Sequence, residues 1–280
     1  MLSLLNTTFT NTLRQKSTAN KDIVFTVQSD NVGTSNDNQF TIPINSAETY
    51  LYDVSTSDGY TATGVTGNHT ITFPSGAGGH TVTISAELGG FPMFYFNNGG
   101  DKLKMMDISN FGIYGYGSNS QQFAFRNCEN FTVSATDIGH FENVTNFRLS
   151  FANTNISTLP LIDTGACTNF DAAFSGANFT TFPALDLSSG TNFEKALQSN
   201  SNLVNFPPNM FDNSSATNYI RAFKNTNLSQ TSIDNILVSI DVSGTTNGSF
   251  KQTGGSAPSS TGLAAIDSLV AKGWTVIYTN

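Results

Sequence analysis

The sequence is short of charge. Only 11% of its 280 residues are Asp, Glu, Lys or Arg, against about 25% in an average soluble protein. Basic residues are the scarcer kind, 12 against 20 acidic, which leaves a formal net charge of −8. They are also scattered: one close pair, Lys102 and Lys104, sits between Asp101 and Asp107. Tracking a phosphate backbone needs clustered Lys and Arg, so nucleic acid is excluded as a partner and this pair reads as a solvated loop. Long apolar runs are missing too. None approaches the roughly 20 residues that cross a bilayer, so no membrane insertion is expected. The opening Met1–Leu5 is apolar but turns polar at Asn6, well short of the about 7–15 residues of a signal-peptide core. The expectation is a protein that reaches its place of work without a secretory signal.

Catalytic signatures are also lacking. There is no G-x-S-x-G elbow, phosphate loop or dinucleotide fingerprint. His69, His80 and His140 share no metal-ligand spacing with Cys or carboxylates and read as surface residues. Asp30, Asn36, Asp37 and Asn38 make the one oxygen-rich loop that calcium would use, yet they lack the spacing and closing Glu of a known calcium loop. No cofactor is therefore expected, with calcium at that loop the alternative. Cys128 and Cys167 fall at different phases of the repeat described next, which predicts buried free thiols and not a disulfide.

Polar amides, hydroxyls and phenylalanine take the place of charge, and they recur. Thr-Asn-aromatic appears at Thr145-Asn146-Phe147, Thr168-Asn169-Phe170, Thr191-Asn192-Phe193 and Thr217-Asn218-Tyr219, so the aromatics are 23, 23 and 26 residues apart. Four positions after each comes Phe151, Phe174, Leu197 or Phe223; then Asn155, Asn178, Asn202 or Asn227 precedes an apolar residue. Three copies go on to Leu159-Pro160, Phe182-Pro183 and Phe206-Pro207, and a degenerate earlier copy holds Phe125 and Asn130 in register. A fixed period of this length marks stacked units. Apolar residues at i and i+4 predict a short helical turn, and the later Asn-apolar-x-x-apolar-Pro predicts a brief strand ended by proline. Phe125, Phe147, Phe151, Phe170, Phe174, Phe193, Leu197, Tyr219 and Phe223 are the predicted core. Asn130, Asn155, Asn178, Asn202 and Asn227 are predicted to form an internal amide ladder.

The flanks differ. Residues 22–98 alternate in the manner of strands at Ile23–Val27, Phe40–Ile44, His69–Phe73 and His80–Ile84, with turn clusters such as Gly76–Gly79 between them, which predicts a β-sandwich. Beyond residue 230, Ile233, Ile236, Leu237 and Ile240 keep helical spacing behind Thr231 or Ser232, and a second helix is expected from about Ser260 to Lys272. Gly273 suits a left-handed cap, and Trp274–Tyr278 reads as a strand. The fold expected is thus mainly β with short helices: an arm (1–21), a β-sandwich (22–98), a short leucine-rich-repeat-like solenoid (99–230) and an α/β C-terminal cap (231–280) whose core includes Trp274.

The pattern Thr-Asn-Phe-x-x-x-Phe with the later Asn-Phe or Asn-Leu resembles the BspA-type leucine-rich repeats of bacterial surface proteins and phage-encoded proteins, and Phe91–Lys104 resembles the junction before those repeats. The segment around Asp58-Gly59 resembles a PKD-type immunoglobulin-like module, with Ser55-Thr56-Ser57-Asp58-Gly59 in place of that family's Trp-Gly-Asp-Gly. These resemblances imply a virion or cell-surface role and carry over no catalytic residue. The expectation is a non-enzymatic virion structural or attachment protein of a phage, tail-associated, fibre or capsid-decorating, binding other virion or surface proteins or a host-surface glycan within an oligomeric assembly. The alternatives are a bacterial cell-surface adhesin and, last, a secreted glycan-active enzyme. For glycan contact the candidates are Tyr114 and Tyr116, flanked by glycines, with Tyr95 behind them; a packed first coil accounts for them equally.

Overall fold

A computed structural model describes residues 21–278; the expected N-terminal arm, Lys21 apart, lies outside the described residues. Among the described residues the chain is mainly β with two short helices. Period-two alternation builds the N-terminal part: in β1 (Ile23–Gln28), Ile23, Phe25 and Val27 are buried and their neighbours are not. β2 (Gln39–Ile42), β3 (Tyr52–Thr56), β4 (Thr61–Val65), β5 (His69–Thr72) and β6 (Gly79–Ser85) follow, then β7 (Met105–Asn110) and β8 (Thr132–Val133). One sheet has the order β4-β3-β6-β1-β7-β8, and β2 pairs with β5 separately. The β2–β5 pair lies against the larger sheet through Phe40, whose ring centre is 5.9 Å from that of Phe25. The four alternating runs all become strands. The sheet does not stop near residue 98, because β7 pairs with β1 and then, in parallel, with β8.

From about residue 119 the chain turns in coils, and the expected helical turn is corrected. Each coil instead holds two successive tight turns with left-handed residues. Positive φ recurs at Phe123, Leu149, Ala172, Lys195 and Arg221, and four residues on at Asn127, Asn153, Gly176, Ser199 and Asn225. A positive φ at the third residue closed by an i→i+3 bond, as from Ala173 N–H to Phe170 O (3.0 Å), is the mark of a type II turn. Two such turns return residues i and i+4 to the same side, so the spacing imitates a helix. The remaining N–H groups point along the stack: those of Phe170, Ala172, Phe174 and Gly176 donate to the next coil at 2.7–2.9 Å. These coil-to-coil bonds offset the strain of the left-handed residues.

The expected strand after Asn is corrected as well. After Asn130 the strand does form, as β8, but in the later copies only Thr181↔Asn205 forms a bridge there among the described residues, whereas the line of parallel bridges runs Ser120, Asn146, Asn169, Asn192, Asn218. Turns on both sides keep it one residue wide. It widens at the end into a parallel sheet of β9 (Asn218–Ile220), β10 (Ser249–Lys251) and β11 (Thr275–Ile277). Between these strands lie α1 (Gln230–Val242) and α2 (Ser260–Ala271), N-capped by Ser229 and Ser259. Ser232, one of the expected caps, is buried and binds the preceding coil through Val204 O (3.0 Å). Gly273 has φ +85°, and Trp274 is buried with its indole N–H on Thr245 O. A Cβ on Gly248 would lie 2.4 Å from that indole, so only glycine fits.

All nine predicted core residues are buried. They form two columns of rings: Phe147, Phe170, Phe193 and Tyr219 stack at 5.1–6.2 Å with planes within 9°, and Phe125, Phe151 and Phe174 at 5.6 Å. Trp274 covers one column through Tyr219, and Phe250 covers the other through Phe223. At the opposite end Phe94 touches both Phe25 and Phe125. The buried apolar side chains from Ile23 to Trp274 therefore make one connected core.

Candidate binding surface

The Thr-Asn-aromatic tripeptide explains the lateral faces. Thr168 donates its N–H and its hydroxyl to Thr145 O, and Thr191 does the same to Thr168 O, at 2.8–3.2 Å. Asn146, Asn169, Asn192 and Asn218 each accept, at Oδ1, the N–H two residues on. Three of the Nδ2 groups reach back to the coil before, from Asn146 to Gln122 at 3.3 Å, from Asn192 to Asn169 at 3.5 Å and from Asn218 to Asn192 at 3.4 Å. The aromatic then enters the core. This ladder went unread in the sequence, although the tripeptide itself was plain.

The ladder that was predicted lies outside, not inside. Asn178 donates to Asn155 (3.1 Å) and Asn202 to Asn178 (2.6 Å), and these side chains are exposed or half-buried. The residue after each Asn takes the inner side (Ile156, Phe179, Leu203 and Leu228 are buried), which turns the amide outward. Asn130 instead donates to Leu103 O, and Asn227 is joined to Leu203 O through its backbone. A third line links Asn98, Asn127 and Asn153 at 2.9 and 3.0 Å, each with positive φ. Asn tolerates that conformation better than other side-chain-bearing residues.

The three tyrosines divide. Tyr114 is fully buried, its hydroxyl donating to Gln121 Oε1 at 2.6 Å, and burial pushes its phenol well above the usual range. It is core, which corrects its candidacy for glycan contact. The glycine beside it serves close packing: a Cβ on Gly115 would meet His140 O at 2.4 Å. Tyr116 is half-buried against the His140 ring. Tyr95 lies elsewhere, half-buried and edge-on to Phe123 at 6.3 Å. Both Arg126 and Arg148 place their guanidinium over the same Phe123 ring, at 5.6 and 5.3 Å. Sequence reasoning missed Phe123 and both arginines, because the degenerate first copy hides its left-handed position.

The pair read as a solvated loop is corrected most sharply. Lys102 is half-buried, but Lys104 and Asp101 are fully buried. The Lys104 ammonium donates to Ser35 O, Ser35 Oγ, Asn36 O and Gln39 O at 2.8–3.0 Å. Asp101 accepts from Thr34 and Ser35, and from Thr41 N–H at 2.7 Å. Burial raises the Asp101 pKa, yet the Ser35 and Thr41 hydrogen bonds and the nearby ammonium outweigh it and hold the carboxyl below its ordinary value. The oxygen-rich loop proposed for calcium thus turns its carbonyls to an ammonium. Gly33 is needed in it, since a Cβ there would lie 2.5 Å from Asp101.

His80 is buried, stacked on Phe73 at 3.7 Å, and lies 3.6 Å from Asp58, so it is no surface residue. Partial burial raises the Asp58 pKa, but hydrogen bonds from Thr56 and Ser75 with His80 nearby bring it down to about 2. His69 is half-buried on the Tyr60 hydroxyl. Cys128 and Cys167 are free and buried, and burial pushes the Cys167 thiol up to about 12. Among the described residues no three His, Cys, Asp or Glu side chains gather as a metal would require, and no helix is long and apolar enough to cross a membrane. The void between Phe174, Leu197, Phe206 and Phe223 measures about 10 Å³, room for about one water. Comparison with protein-family models, curated proteins and solved structures finds no match.

Proposed function

We propose that the coils are a short leucine-rich-repeat-like solenoid held between a β-sandwich and an α/β cap, and that the chain is a non-enzymatic structural or attachment protein of a phage virion. The observation that carries this reading is the single core from Ile23 to Trp274, covered at one end by Phe94 and the β7–β8 pair and at the other by Trp274 and β11. Stacked units with both ends covered make a rigid body that offers only its sides. Those sides carry amides and hydroxyls already ordered by coil-to-coil bonds, which favours contact with proteins or glycans at small entropic cost. Immunogold electron microscopy tests the reading: antibody to the chain decorates purified virions if it is right, and never does so if it is wrong. The bacterial adhesin is the second reading, favoured by the same ordered sides; chain found in the envelope of uninfected cells would establish it instead.

A further inference from the structure

The half-buried ring of Phe123 has no counterpart along its column. The same left-handed position holds Leu149, Ala172, Lys195 and Arg221 in the later coils. A bulky aromatic side chain is unusual at positive φ, and an outlier of this kind asks for a reason beyond packing. Here the core does not supply one, since Phe125 and Phe131 fill the first coil from inside, stacked at 4.3 Å. Phe123 instead makes a ledge with Tyr95, and two of the four arginines in the sequence lean over it.

The charge of the ledge is as unusual as its shape. Arg148 is held by Asp171 at 2.9 Å, whereas Arg126 has no carboxylate partner among the described residues. Lys102 lies close by, its ammonium on Asn98 Oδ1 (2.7 Å), and the same oxygen accepts from Asn127. A protein of net charge −8 thus gathers three cations, two rings and a row of amides on one side of its first coil. Rings present a flat apolar face for the C–H side of a sugar, the guanidinium fork matches a carboxylate, and amides pair with hydroxyls.

We propose that the Tyr95–Phe123–Arg126 ledge binds a carboxylate-bearing glycan, with a sugar face on the rings and its carboxylate on Arg126. The inference rests on the reading of the coils as a binding surface. Two probes distinguish the sources of such a carboxylate: a trimeric oligogalacturonate for uronate chains and sialyllactose for sialylated ones, with maltotriose as the neutral control. Titration by calorimetry with the whole chain is expected to show binding of one acidic probe and at least about tenfold weaker binding of maltotriose. R126Q is expected to weaken the acidic probe about tenfold with an unchanged melting temperature. F123L, which installs the residue that the next coil carries at this position, is expected to weaken it severalfold while keeping the fold. Equal affinity for the neutral probe, no binding of either acidic probe, or R126Q indistinguishable from the parent would overturn the proposal. Chromatography of the recovered sugar separates it from the broader reading: a cleaved probe would end the non-enzyme reading and leave the site standing.

Discussion

The β-stranded part before residue 110 and the coils after it solve the same problem in opposite ways. Both must satisfy backbone polar groups away from water. The first spends two fully buried charges, Asp101 and Lys104, to tie the loop between β1 and β2, with the Ser35 hydroxyl joining them. The coils use no buried charge for this; they distribute the task over amide lines, threonine hydroxyls and left-handed turns that recur in every unit. Stability is concentrated on a few groups in one region and spread over many in the other. A single change should therefore do more harm in the first region than a comparable polar change in the second.

Removing one buried charge is the severest test of that contrast. Asp101→Ala strands the Lys104 ammonium in the interior and is expected to cost about 3–5 kcal/mol in denaturant unfolding. A cost under about 1 kcal/mol would show that the loop can let water in. Within the coils, Phe170→Ala opens a cavity in the middle of a ring column and is expected to cost about 3 kcal/mol by the same measurement. Phe174→Leu should cost less than about 1.5 kcal/mol, because Leu197 already stands one coil further along the same column. Smaller still is Asn178→Ala. It removes the middle of the Asn155–Asn202 line on an exposed face, and about 0.5–1 kcal/mol is expected.

Acid sharpens the same comparison. Asp101 and Asp58 both have pKa values below the ordinary carboxylate range, Asp58 at about 2. Their contribution is complete above the unfolded value, about pH 4, and is lost as the pH falls through the folded values. Hydrogen exchange between about pH 4 and pH 2 should therefore rise first around residues 29–41 and 56–80, while the neutral lines of the coils hold. Earlier exchange in the coils would reverse the assignment.

What could be read in advance followed from the physics of each region. Ile23–Val27 and His80–Ile84 were legible because alternation has one structural meaning there. The period of the coils and their core were legible because a repeated ring position must face the same interior. The helical turn was misread because two tandem turns return a side chain to the same face after four residues, as a helix does, and φ leaves no trace in spacing. Tyr114 was left between two readings because its glycine neighbours suit an exposed ring and a close-packed one alike, and the structure takes the packed one. The buried Lys104 could not be found at all. Its four acceptors come from a loop 65–69 residues away in sequence, while the nearby Asp101 and Asp107 suggested a solvated loop. Phe123 stayed hidden for a related reason, since its meaning depends on a backbone conformation and on two arginines from different coils.

Strands, coils and the C-terminal segment that holds Trp274 (the cap) share one core. Equilibrium unfolding followed by two probes tests it directly: Trp274 fluorescence, which reports the cap, and hydrogen exchange of β1 and β6, which reports the far sheet. One core predicts coincident midpoints in denaturant for both probes. Two separated transitions, with the cap or the sheet melting alone, would contradict it.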